Sequence, residues 1–112
     1  MENTKIITFA QEKGGTGKTT IAAHFALALL KKGLNISVID LDPNENLYNW
    51  FKLRESTDSN FSCKTSNIWA LNDEISALKE QNIDIIIVDT APHNPLDKQL
   101  ALKFADLAII PL

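Results

Sequence analysis

The sequence predicts an α/β domain in which a parallel sheet carries helices on both faces. Short apolar runs rich in β-branched residues recur along its 112 positions, and they alternate with segments whose apolar residues fall at helical spacing. Alternation of this kind builds parallel sheets, whose strands are buried on both sides and so read as near-continuous apolar runs. A third observation is a glycine-rich loop between the first run and the first helical segment. The length sets one domain at most, since domains usually run to ~100–200 residues. With 45% hydrophobic and 22% charged residues the chain can fill a core, which excludes disorder and coiled coil.

Ile6-Ile7-Thr8-Phe9-Ala10 reads as a buried strand, and Gln11 to Gly17, with three glycines in seven residues, as a loop. Lys18 to Lys32 is helical, and apolar almost all round, which predicts a helix covered on both sides. Gly33 stands where such a helix ends in a left-handed residue. Ile36 to Asp42 is a second strand that ends on acids and is stopped by Pro43. Asn44 to Arg54 is an amphipathic helix with Leu47, Trp50 and Phe51 on one side, capped by Asn44 or Asn46. Ser56 to Asn67 reads as a polar surface loop holding one short strand around Phe61 to Cys63. Ile68, Leu71, Ile75 and Leu78 mark a third helix. Ile83 to Asp89 is a strand, Leu96, Leu100 and Phe104 mark a fourth helix, and Leu107 opens a last strand that runs to Pro111. Because the chain stops inside that strand, residues 1–112 read as one incomplete domain, the front part of a larger one.

Composition narrows the function classes. Lys plus Arg number 11 against 14 Asp plus Glu, a net charge of −3, so nothing overall attracts nucleic acid or an anionic membrane. Cys63 is the one cysteine, which rules out an intrachain disulfide framework and a cysteine-only metal site; a small, buried or half-buried side chain is its expected role. The start of the chain has neither the charge pattern nor the apolar segment of a leader, and the longest near-apolar stretch, Ile21 to Leu30, is far short of the ~20 residues of a membrane span. A soluble, cytoplasmic protein is expected.

The chemistry concentrates in Glu12-Lys13-Gly14-Gly15-Thr16-Gly17-Lys18-Thr19-Thr20, which follows a strand and opens a helix. Glycines let backbone N–H groups approach phosphate oxygens, and the helix N-terminus adds free N–H groups and its positive end. Gly14, Gly15, Thr16, Gly17 and Thr20 are thus candidates for the phosphate cradle, with Lys18 reaching the terminal phosphates and the Thr19 hydroxyl ligating Mg²⁺. In an open parallel sheet ligands sit beyond the carboxyl ends of the strands, and Asp40, Asp42 and Asp89 end strands there. Asp40 and Asp42, two apart, share a face of an extended segment. Asp89 falls where a Walker B aspartate would hold Mg²⁺ through water.

The first glycine of the ordinary P-loop consensus would fall at Glu12. What stands instead, Lys13-Gly14-Gly15-x-Gly17-Lys18-Thr19, resembles the deviant Walker A motif of the ParA/MinD family of ATPases, K-G-G-x-G-K-[ST]. Asp40-Leu-Asp42-Pro43-Asn44 is similar to that family's switch I stretch, and Asp89-Thr90-Ala91-Pro92 to its Walker B and switch II stretch. Asn44 departs from the family's usual Gln, and Ala91 from its Pro or Gly. The resemblance implies a P-loop NTPase-like sheet and a Mg²⁺-dependent ATPase. It implies that Asp42 orients the attacking water, that Asp40 and Asp89 act on the Mg²⁺ shell with Thr19, and that Lys13 reaches the partner's phosphates in an ATP-dependent homodimer. Trp50, eight residues after Asp42, resembles a tryptophan of the plasmid and chromosome partition branch, though core packing also explains it. That branch implies a centromere-binding, ParB-like partner, non-specific DNA bound through regions not present here, and action in the bacterial cytoplasm at the nucleoid. MinD-like members carry a membrane-binding helix that these residues lack. Two rivals stand beside this reading: a truncated, non-catalytic nucleotide-binding chain, and a small-molecule enzyme related to cobyrinate amidases or dethiobiotin synthetase. His24 reads as a packed or surface residue. His93 and Asn94 read either as sensors of the γ-phosphate or as plain loop, and the acidic face of the third helix as solvated.

Overall fold

A computed structural model describes residues 3–10, 17–53, 59–92 and 94–110. Its elements alternate as the sequence predicts: β1 (Lys5–Phe9), α1 (Gly17–Lys31), β2 (Ile36–Asp40), α2 (Asn46–Leu53), β3 (Phe61–Thr65), α3 (Leu71–Glu80), β4 (Ile85–Asp89), α4 (Pro95–Leu102) and β5 (Leu107–Ile109). The strands form one parallel sheet in the order β3-β2-β4-β1-β5. The polar stretch before Asn67 thus yields a full strand. Its Ser62 meets Ser37 of β2 through a 2.8 Å hydroxyl pair.

Alternation along each strand sorts side chains to two faces. Ile7, Phe9, Ile36, Val38 and Ile87 pack with Ala22, Ala23 and Ala26 of α1 and Leu47 and Phe51 of α2. Ile6, Ile39, Ile86 and Val88 pack on the other face with Leu71, Ile75 and Leu78 of α3 and Ala101 of α4. The three alanines let α1 lie close on the sheet. Helices therefore cover both faces.

Three local expectations are revised. Helix α1 is covered by the sheet and along one flank by α2 among the described residues, and Ile21 on its outer side is 43% exposed. Being apolar all round did not enclose it, because α2 flanks one side only. Helix α2 starts at Asn46, and its first turn is held by Asp40 across the site rather than by a local asparagine. The chain between Asp40 and α2 is not extended: it turns back on itself, with the Glu45 amide donating to the Asp42 carbonyl and Glu45 at φ 55°. The end of α1 agrees with its sequence signal. Gly33 ends α1 at φ +84°, its amide donating to the Leu30 carbonyl. Pro95 opens α4, with the Asn94 side chain accepting from the Asp97 amide.

The topology also places the site. From β1 the chain crosses by α1 to β2 on one side, and from β4 it crosses by α4 to β5 on the other. β1 and β4 are neighbours, so their outgoing segments part at the carboxyl edge of the sheet. Ligand crevices of open α/β sheets form at such a divergence.

Candidate nucleotide-phosphate site

Lys18 is the second residue of α1, and Asp89 is the last residue of β4, so each stands at that divergence. The Lys18 ammonium donates to Asp89 Oδ1 at 2.5 Å and to the Thr90 carbonyl at 2.5 Å. Both side chains are out of water. Thr90 is held in turn, its amide and its hydroxyl both donating to the Phe9 carbonyl. Asp89 keeps one oxygen, Oδ2, buried with no partner among the described residues. Burial pushes its carboxyl up to about 6, while Lys18 acts in the opposite direction.

Asp40 and Asp89 are directly paired in the β2–β4 register and so share a face. Asp40 is fully buried, and both its oxygens accept from backbone: Oδ1 from the Asp42 amide at 2.9 Å and Oδ2 from the Tyr48 amide at 2.9 Å. Burial pushes its carboxyl up, and those two amides pull it down less strongly. A carboxylate at the N-terminus of a helix is favourably placed, and here it comes from the neighbouring strand. Asp42 is 4% exposed and accepts from the Asn44 amide in its own turn. Thr19 is half-buried and Thr20 exposed on the first turn of α1. A Cβ added to Gly17, the first residue of that helix, would meet nothing within 4 Å. Lys13, Gly14, Gly15, Thr16 and His93 lie outside the described residues.

The structure thus brings together Lys18, Asp89 and Asp40 at one strand edge and turns Asp42 into the loop beside them. Two parts of the arrangement have no signal in the sequence spacing. One is the Thr90 carbonyl as a lysine acceptor; the other is the Tyr48 amide as a partner for Asp40. Asn94 serves as a helix cap, and Trp50 packs against Phe51 and His24, with ring centroids 5.1 and 6.2 Å away. Cys63 is half-buried, and burial pushes its thiol up to about 12. Among the described residues no three His, Cys, Asp or Glu side chains converge as a metal cluster. Mg²⁺ in phosphate sites is usually held by one or two carboxylates together with phosphate oxygens and water. The unpartnered Asp89 Oδ2 is an acceptor of the right chemistry for such a shell. No helix of the described residues is long and apolar enough to cross a membrane.

Comparison with known proteins gives the same picture. The family described as "CobQ/CobB/MinD/ParA nucleotide binding domain" matches residues 7–107. The chain is 30% identical over 114 residues to "Protein ParA" of Rhizobium radiobacter, covering 96% of this chain and 48% of that protein. Among solved structures it is similar to the MinC:MinD cell division protein complex of Aquifex aeolicus. There the TM-score is 0.74 at 26% identity, over 95% of this chain and 55% of that one. It also shares its fold with a cobyrinic acid a,c-diamide synthase of Mycobacterium smegmatis with bound ATP analog and magnesium. In that case the TM-score is 0.79 at 24% identity, over 97% of this chain and 60% of that one. The chain spans about half the length of the curated relative, at 48%.

Proposed function

Because the chain belongs to the CobQ/CobB/MinD/ParA nucleotide-binding family, we propose that it forms the phosphate-binding half of a Mg²⁺-dependent ATPase of the ParA type, acting in plasmid or chromosome partitioning. The observation that carries this reading is the buried Lys18–Asp89 pair at the parting of β1 and β4, whose lysine belongs to the Lys13 to Thr19 motif. Similarity to a ParA protein supports the partition branch.

In this reading the cradle from Gly14 to Thr20 binds the phosphates through backbone N–H groups, and Lys18 supplies the cation that offsets their charge. Thr19 and Asp89 would hold Mg²⁺, which would supply positive charge against the charge that develops on the phosphates. Asp40 acts on that shell mainly by fixing its surroundings, since it ties the Asp42 turn to α2. Asp42 orients the attacking water. Lys13 is carried to the partner's phosphates when ATP brings two copies together, as an arginine finger would be. A ParB-like partner stimulates turnover, and non-specific DNA is held by other parts of the protein, in the bacterial cytoplasm.

The test is ATP hydrolysis by Lys13→Gln and Asp42→Ala chains, alone and mixed, with and without DNA and a partition partner. Each variant alone should be inactive in stimulated hydrolysis. A mixed dimer has one composite site with both lesions and one with neither, so activity should partly return. Wild-type turnover by Lys13→Gln alone would remove the ParA-type mechanism. It would leave the cobyrinate-synthase-like reading, which the shared fold also supports.

A further inference from the structure

Lys18 and Asp89 are the charges that the proposed chemistry needs on phosphate and on Mg²⁺, yet in this structure they satisfy each other. The ammonium is engaged twice, by Asp89 Oδ1 and by the Thr90 carbonyl. The acceptors are fixed: Asp89 is laddered between β2 and β1, and Thr90 is tied to the Phe9 carbonyl. The long side chain of Lys18 is the part that can swing. If it leaves for a phosphate, Asp89 loses its cation, and its second oxygen already lacks a partner. Removing one member of a buried ion pair is strongly unfavourable, because the other charge is left uncompensated.

We infer that the Lys18–Asp89 contact is a latch that couples nucleotide to divalent cation: phosphate draws the lysine away readily only when a cation replaces it at Asp89. The inference rests on the nucleotide-binding reading above and adds a regulation to it. Nucleotide without metal must break the pair and leave Asp89 bare. Metal without nucleotide meets a carboxylate that already holds an ammonium. Such coupling is reciprocal by linkage. Asp42 provides the contrast. It is an acid buried at the same edge, but its carboxylate accepts from the Asn44 amide of its own turn.

The experiment is calorimetric titration of the chain with ATP, in EDTA and in excess Mg²⁺, for the wild type, Asp89→Asn and Asp42→Asn. In EDTA, Asp89→Asn should bind ATP at least ~10-fold more tightly than the wild type, because Lys18 leaves no bare charge behind. Its gain from Mg²⁺ should shrink by a similar factor. Asp42→Asn should stay within about threefold of the wild type in EDTA, the size of a general charge effect in a partly screened site. No gain in Asp89→Asn, or an equal gain in Asp42→Asn, overturns the latch, the second outcome meaning general repulsion of phosphate. Should Asp89→Asn not fold, heteronuclear NMR of the wild-type lysine ammonium groups decides. At an ATP concentration just sufficient to fill the site in Mg²⁺, the coupling from Lys18 Nζ to the Asp89 carboxylate should persist in EDTA and vanish when Mg²⁺ is added. Its absence before ATP is added, or its loss in EDTA, overturns the proposal. Absence of any ATP binding by the wild type in Mg²⁺ removes the nucleotide reading and the latch together. Normal Mg²⁺-ATP binding without these dependencies removes the latch alone.

Discussion

Replacing Lys18 with methionine takes the ammonium out of the buried pair and keeps most of the apolar stem. Burial already pushes the Asp89 carboxyl up to about 6 from 3.8, with Lys18 working against that rise. Without Lys18 the carboxyl rises further, and near pH 7 the side chain takes a proton instead of standing ionised in the interior. In the unfolded chain Asp89 titrates near 3.8, so above about pH 5 that state holds no proton there. The native wild type holds one below about 6 and releases it above. The native variant holds one throughout. A proton bound only in the native state makes stability fall as pH rises, by about 1.4 kcal/mol per unit. Both proteins lose this between about pH 5 and 6, but only the variant goes on losing it to about pH 7. Its deficit should therefore widen by about 1.4 kcal/mol across that range. This comes on top of a constant cost of about 1–3 kcal/mol for the ammonium hydrogen bonds. Urea denaturation at the two pH values and one salt concentration reads the difference. With slopes of ~1–3 kcal/mol per molar, the gap between midpoints should grow by about 0.5–1.4 M. A gap that stays constant or narrows toward neutral pH would refute the view that Lys18 neutralises Asp89 in the native chain.

Other outcomes follow from the same geometry. Asp42→Ala should leave ATP affinity nearly intact while turnover falls by at least ~100-fold, because positioning water acts on the transition state; equal losses in binding and rate would contradict that role. Asp40→Ala leaves the Asp42 and Tyr48 amides without their acceptor and should cost about 2–4 kcal/mol, part of it offset by no longer burying a charge. Urea denaturation showing less than about 0.5 kcal/mol would mean that α2 does not depend on Asp40. The Cys63 thiol, pushed up to about 12 by burial, should react with iodoacetamide at pH 8 far more slowly than free cysteine, since the thiolate is the nucleophile. Labelling at the free-thiol rate would place it in water.

Local pattern determined most of the architecture by itself. The apolar runs of β1, β2 and β4 read as strands buried on both sides, and Gly33 marks a helix end by backbone geometry that needs no tertiary partner. The loop's lysine and the strand-end acids were legible as well, because glycine spacing before a helix and acids after a strand are local features. Strand β3 was only half legible: Ser62 and Lys64 carry no apolar signal and are ordered by pairing with β2. The order of strands, and with it the parting of the chain at β1 and β4, depends on which strands bond, a non-local choice. Only the tertiary structure assigned partners to the acids. It gave Asp40 to the amide of Tyr48, eight residues on, and Asp89 to Lys18, 71 residues back. Buried carboxylates must find donors wherever the fold supplies them, so their partners follow from the packing of distant elements and not from the residues beside them in the chain.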